Sequence, residues 1–294
     1  MMSSHSSERR SFGARLTDAM LNRGPLCVGI DPHPALLAQW GLEDDAAALR
    51  TFSRAVLEAT ADIAAAIKPQ VALFERHGSK GLGVLEEVLA EAKDLGVLTI
   101  ADAKRGDIGS TMQAYAEAWL ADGSPLAADS LTVSPYLGYE SLRPALDLAA
   151  DTGRGIFVLA LTSNPEGASV QHVGGADSVA RRIVEAVAQE NASSVSGTSA
   201  TDGSERVLGS VGLVVGATVA AAARDLGIDL AASNAPLLAP GLGAQGATAA
   251  EMRQDFSSAW SQVLANSSRG ILTSGPKIEA LRAATLETIA SLKR

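Results

Sequence analysis

Gly96-Val97-Leu98-Thr99-Ile100-Ala101-Asp102-Ala103-Lys104-Arg105-Gly106-Asp107-Ile108-Gly109-Ser110-Thr111 changes character halfway along. The run from Gly96 to Ile100 is apolar and β-branched, as a buried strand should be. Side chains alternate across a strand, so Asp102 and Lys104 point to the same side, about 7 Å apart along the chain. An anion and a cation thus meet at the edge of a dry core, where each offsets the other's desolvation. Asp107 lies beyond the strand in a loop flanked by Gly106 and Gly109, and Ser110 and Thr111 read as the cap of a helix from Met112 to Leu120. An Asp-x-Lys pair alone also fits an ordinary structural ion pair. The longer string D-x-K-x-x-D-I-x-x-T carries more information than that.

Working outward, the same strand-then-helix rhythm recurs on both sides. An amphipathic helix is expected from Phe12 to Asn22, and the first strand is Leu26 to Ile30, ending at Asp31-Pro32. A helix from Ala46 to about Ala64 precedes a short strand Ala65-Ala66-Ile67 that ends at Lys68, because Pro69 cannot continue a central ladder. A helix near Gly83 to Leu95 leads into the quoted strand. Leu131 to Val133 is the fourth strand, followed by a helix from Tyr139 to Ala150. Gly155 to Leu161 is the fifth, with a helix from Asp177 to Glu190, and Val211 to Val215 the sixth, with a helix from Val219 to Leu226. Pro236 to Ala239 is the seventh, with a helix from Thr248 to about Ala265. The eighth reads as Gly270 to Thr273, although Val263 to Ser267 is an alternative that would put Arg269 at a strand end. Strict alternation implies a parallel sheet, and eight units imply closure. The expected fold is therefore α/β: a single (β/α)8 barrel over residues 1–294 with an N-terminal helical extension. No G-x-G-x-x-G follows the first strand, which weighs against an open doubly wound sheet. Residues 1–11 read as a flexible polar tail, and the Ser/Gly/Thr-rich segment 191–205 as a flexible surface insertion.

Composition narrows the partners. A formal net charge of −9 argues against nucleic acid or an anionic membrane surface, so an anionic substrate would need local cations. The polar N-terminus has no apolar h-region, and no apolar stretch is long enough to span a bilayer, so a cytoplasmic protein is expected. The lone Cys27 precludes an intrachain disulfide and sits in an apolar run as a small core residue. The four histidines show no metal-ligand spacing, and no metal site is expected.

Active sites of such barrels gather where strands end. Those ends carry Asp31, Lys68, Asp102, Lys104, Ser163, Gln245 and Arg269. A buried lysine such as Lys68 needs a carboxylate, and Asp31 and Asp102 lie on flanking strands. Pro240-Gly241-Leu242-Gly243-Ala244-Gln245-Gly246 is a Gly-rich loop after the seventh strand, where barrels recurrently bind phosphate, although a plain flexible turn has the same composition. Arg269 nearby supplies a fixed cation.

Taken together, D-A-K-R-G-D-I-G-S-T, T-S-N at 162–164 and P-G-L-G-A-Q-G resemble the motifs of orotidine 5'-phosphate decarboxylases, specifically the bacterial subgroup called type 2. The resemblance implies cofactor-independent decarboxylation of orotidine 5'-monophosphate to UMP in pyrimidine biosynthesis. It implies Lys104 as the group that stabilises and protonates the C6 carbanion, with Asp102 beside the departing carboxylate and Lys68 in the same charge network. It further implies Asp31 on a ribose hydroxyl, Ser163 on the pyrimidine, Pro240 in the phosphate loop, and Gln245 and Arg269 on the phosphate. Asp107 and Thr111 would complete a neighbouring subunit's site, hence a homodimer with shared sites. Two alternatives stand beside it: a magnesium-dependent keto-sugar-phosphate decarboxylase of the same superfamily, and a non-catalytic phosphate-binding barrel.

Overall fold

The computed structural model describes residues 9–195, 207–243 and 246–293. Among them, eight parallel strands close on themselves in sequence order: β1 (Leu26–Ile30), β2 (Ala66–Pro69), β3 (Leu98–Arg105), β4 (Ser130–Val133), β5 (Gly155–Leu161), β6 (Val211–Val215), β7 (Leu237–Pro240) and β8 (Val263–Ser267). The ring is sealed by β8 against β1, with Leu26 beside Ala265 and Val28 beside Ser267. Helices cover the outside, so strands such as β1, β2, β4, β6 and β8 are buried along their whole length. This is the barrel expected from the alternation.

Two cores result. The larger lies between strands and outer helices. The smaller fills the barrel's interior with Cys27, Ala66, Ile100, Phe157, Val214, Leu238 and Leu264, and the helix Phe12–Arg23 plugs its lower end with Phe12, Leu16 and Met20. Phe12 meets Phe157 edge-on at 5.9 Å. The plug seats tightly because Gly155 carries no side chain: a Cβ there would lie 2.1 Å from the Phe12 ring. Arg15 to Asp129 and Arg9 to Asp122 then strap the helix to the barrel floor.

Several boundaries differ from the sequence reading. The eighth strand is Val263–Ser267, and Arg269–Leu272 is a helical turn, so the reading Gly270 to Thr273 fails. The strand must pair with β7 (Leu237 beside Val263) as well as β1, and only 263–267 lies between them. The helix expected to reach Ala265 runs from Ala249 to Phe256, because Ser257 takes a left-handed φ of 45° and opens a 3-10 segment, Ser257–Gln262. Short apolar runs such as Val263-Leu264-Ala265 do not distinguish helix from strand by period. The helix after β5 continues to Val195, so 191–195 are not part of a flexible insertion: Asn191 is buried and bonds the backbone of Val211 and Ser233. The rest of the segment expected to be flexible, 196–205, like residues 1–8, lies outside the described residues. Of the N-terminal tail, Arg9 and Arg10 form ion pairs and Ser11 caps the first helix.

Candidate active site

β3 runs on three residues past Asp102, to Arg105, and its end is irregular. Its register against β4 slips between Ala101, opposite Leu131, and Arg105, opposite Val133. Lys104, inside the slip, has φ 49°, a left-handed backbone that is strained for a residue with a Cβ and costs about 1–3 kcal/mol. Arg105 clamps the strand just beyond it: its guanidinium pairs with Glu75 and lies 5.6 Å from the ring centres of both Tyr115 and Trp119. Its carbonyl accepts from Ser134 at 2.8 Å. The strained turn is thus held from the outside of the barrel while Lys104 faces the mouth.

There the charges converge. Asp102 is buried and receives Lys68 Nζ on Oδ2 at 2.7 Å and Lys104 Nζ on Oδ1 at 2.6 Å. Gln70 Nε2 donates to Oδ2 at 3.0 Å and Thr132 Oγ1 to Oδ1 at 3.1 Å. Burial works against the Asp102 anion, but Lys68 and Lys104, through charge and hydrogen bonds, hold its carboxyl far below the usual range. Burial likewise opposes the Lys68 ammonium, yet Asp102 and Asp31 keep it protonated above the ordinary lysine range. Lys68 is almost wholly enclosed, its side chain 4 % exposed, whereas that of Lys104 is 46 % exposed. Of the two, Lys104 is the one open to solvent.

Asp31 follows β1 and acts on Lys68 through space; its Oδ1 is buried without a partner among the described residues. That orphaned oxygen can accept a hydrogen bond from a ligand hydroxyl. Cys27 lies beneath the network, wholly buried, and burial pushes its thiol up to about 12, which leaves it chemically inert there.

Across the mouth, the ends of β5, β6 and β7 are laced together: Gly216 N donates to Leu161 O and Ala217 N to Pro240 O, both at 2.8 Å. Ser163 stands just past β5 against Gly216, where an added Cβ would meet it at 3.1 Å. Pro240 ends β7 beside Asn266 of β8. The following loop bends through left-handed glycines, Gly241 (φ 122°), Gly243 (φ 77°) and Gly246 (φ 91°), and is pinned by Ser267 Oγ on Leu242 O at 3.4 Å. Gln245 lies outside the described residues. Arg269 opens the turn after β8, exposed, with no side-chain partner among the described residues.

Asp107 and Thr111 do not join the network. Asp107 Oδ1 accepts from the Ile108 backbone at 2.8 Å, and Thr111 is exposed in the first turn of the helix Gly109–Leu120. The expected cap therefore shifts: the N-cap position is Ile108, and Ser110 and Thr111 fall inside the helix. Gln70 and Thr132 are site residues that the strand-end reading passed over. Gln70 lies two residues after Lys68, so alternation points it the same way, and Thr132 is a polar residue between the apolar Leu131 and Val133 of its strand.

Comparison with known proteins narrows the chemistry. Residues 24–284 match the family model described as the orotidine 5'-phosphate decarboxylase / HUMPS family. The chain is 56 % identical over 276 residues to an orotidine 5'-phosphate decarboxylase of Streptomyces coelicolor, covering 93 % of this chain and 94 % of that protein. It is 52 % identical over 285 residues to one of Salinispora arenicola, covering 96 % and 97 %. A crystal structure from Streptomyces avermitilis assigned to the same enzyme superposes with a TM-score of 0.88 at 52 % identity, covering 97 % of this chain and 95 % of that one.

Proposed function

Because the chain belongs to the orotidine 5'-phosphate decarboxylase family, we propose that Lys104 is the group through which it converts orotidine 5'-monophosphate to UMP and carbon dioxide. The observation that supports this most is the row Lys68–Asp102–Lys104, with one ammonium enclosed and the other turned to the mouth. Loss of carbon dioxide leaves an electron pair at C6 of the pyrimidine that the ring cannot readily delocalise. A cation fixed where that charge develops stabilises the transition state without reorganising, and Lys104 can then give C6 its proton. Asp102, held as an anion by two lysines, stands beside the departing carboxylate, and Lys68 keeps it ionised. No metal or organic cofactor enters these steps.

Around that centre, Asp31 accepts from a ribose hydroxyl and Ser163 addresses the pyrimidine. Arg269, with Pro240 and Gln245 of the glycine loop, holds the 5'-phosphate. Its position after β8 suits the barrel's recurrent phosphate site. Phosphate binding far from C6 supplies energy for aligning the ring. The magnesium-dependent alternative needs several ligating side chains together, whereas among the described residues no group of three or more His, Cys, Asp or Glu side chains could hold a metal ion, and Asp102 is already engaged by Lys68, Lys104, Gln70 and Thr132. Loss of orotidine 5'-monophosphate absorbance, followed with and without EDTA, tests the reading. Full activity in EDTA supports it, and activity abolished by chelation would transfer the assignment to the metal-dependent alternative.

The active assembly in this reading is a homodimer. Ile108 (61 % exposed), Tyr136 (79 %) and Leu137 (54 %) are exposed on two segments that come together where Gly106 lies against the Ser134 carbonyl, and in this reading they make an apolar face beside Asp107. Large exposed apolar side chains grouped in this way mark a contact surface. A second copy covering it would bring each Asp107 and Thr111 to the other's mouth. Mixing inactive Lys104→Ala and Asp107→Ala chains should then restore about a quarter of wild-type activity, one competent site in each heterodimer. No recovery on mixing would show the sites to be self-contained. No helix among the described residues is long and apolar enough to cross a membrane, and the expected setting is cytoplasmic, without nucleic-acid or membrane partners.

A further inference from the structure

We propose that Thr132 is a positioning residue of the decarboxylation site: its hydroxyl locks Lys104 and Asp102 into their working arrangement. The inference rests on the decarboxylase reading above and adds a residue to it. Where β3 slips against β4, four steps along β3, from Ala101 to Arg105, are matched by two along β4, from Leu131 to Val133. Thr132 is the β4 residue opposite that surplus, and it is 1 % exposed. The Lys104 N–H therefore has no regular backbone acceptor in the ladder, and it donates to Thr132 Oγ1 at 2.9 Å.

The same hydroxyl has one proton to give. Asp102 Oδ1 lies at 3.1 Å and Ala101 O at 3.5 Å, and the nearer, charged acceptor is the stronger partner. Oδ1 in turn accepts from Lys104 Nζ at 2.6 Å. A ring closes: Lys104 backbone to Thr132, Thr132 to Asp102, Asp102 to the Lys104 ammonium. A left-handed backbone at a residue with a Cβ persists only where its surroundings over-determine it. Arg105 secures that turn from outside the barrel, and Thr132 is the side chain that secures it from within. Without the hydroxyl, the Lys104 backbone can relax toward the extended region, and its ammonium leaves the position facing C6.

Thr132→Val is the decisive variant, because valine keeps the shape and the β-branch while removing both hydrogen bonds. Wild-type decarboxylation is measured first, so that failure of the functional reading is seen separately. With wild type active, kcat of Thr132→Val should fall about 10- to 100-fold, the loss of hydrogen bonds to a charged pair. Affinity for UMP should stay near wild type, the melting temperature should fall by only a few degrees for the N–H left without its acceptor, and Thr132→Ser should recover most of the rate. An unchanged kcat in Thr132→Val would overturn the proposal. So would a serine variant no faster than valine, or a fall in kcat matched by equal loss of UMP affinity. Should the valine variant not fold, the same comparison between Thr132→Ser and Thr132→Ala decides the matter.

Discussion

Replacing Asp102 with asparagine removes the anion that two lysines share, and the structure sets the size of the effect. Lys68 lies 2.7 Å from that carboxylate with its side chain only 4 % exposed, so the variant leaves an ammonium in the barrel interior with no carboxylate in contact and only Asp31 acting on it through space. Removing one partner of a buried ion pair costs about 3–5 kcal/mol, most of it the penalty of the charge left behind. Lys68→Met should cost less, because Asp102 keeps Lys104, Gln70 and Thr132 as partners. Adding Lys68→Met to Asp102→Asn should recover much of that stability, since the enclosed ammonium goes with its carboxylate and the Lys104 ammonium, on a side chain 46 % exposed, is left to solvent. Equilibrium denaturation at one fixed protein concentration reads the four corners of this cycle. A coupling of about 2 kcal/mol or more is expected. Costs that add to within about 0.5 kcal/mol would show that the pair is not buried together, and the charge-network reasoning would fail with it.

Other outcomes follow from the same geometry. The Lys68 pKa is raised, so its contribution is full below the unfolded lysine value of about 10.4 and is lost as pH rises through the folded one; that of Asp102 is lowered, so its contribution is full above about 3.9 and is lost as pH falls. The stability difference between wild type and the Lys68→Met/Asp102→Asn double variant should thus be flat from about pH 5 to 9 and change only outside that window. Gly155→Ala should destabilise the fold by about 1–3 kcal/mol by driving a methyl into Phe12, whereas Gly83→Ala, in open space within a helix, should stabilise it by about 0.5–1 kcal/mol; thermal unfolding reads both. Arg269→Ala should weaken UMP binding about 10- to 100-fold and leave uridine binding unchanged by calorimetry, and equal losses for both ligands would remove Arg269 from the phosphate site.

How much of this was legible in the sequence depends on the range of the interactions involved. β1, β5 and β6 fall where apolar runs between turn residues put them, because a strand buried on both faces needs little beyond local hydrophobicity. β8 does not, because Val263-Leu264-Ala265 suits helix or strand equally, and pairing with β1 and β7 decides between them. Asn191 shows the opposite failure. It begins a polar, Ser-rich stretch and so reads as loop, yet its amide meets the backbone of Val211 and Ser233, partners 20 and 42 residues away.

The site divides in the same way. Lys68, Asp102 and Lys104 are readable because charge at the end of an apolar strand is rare enough to be informative, and alternation alone puts Asp102 and Lys104 on one side. The strain at Lys104 is not readable, since nothing local to Ala103-Lys104-Arg105 demands a left-handed residue. It arises from fitting β3 against a shorter partner and from Arg105 being drawn outward to Glu75, Tyr115 and Trp119. That outward pull and the inward hold of Asp102 act on adjacent residues of one strand. The lysine that faces the mouth is thereby placed by groups on both sides of the barrel wall, and a side chain with its own conformational freedom is held ready for the charge that develops at C6.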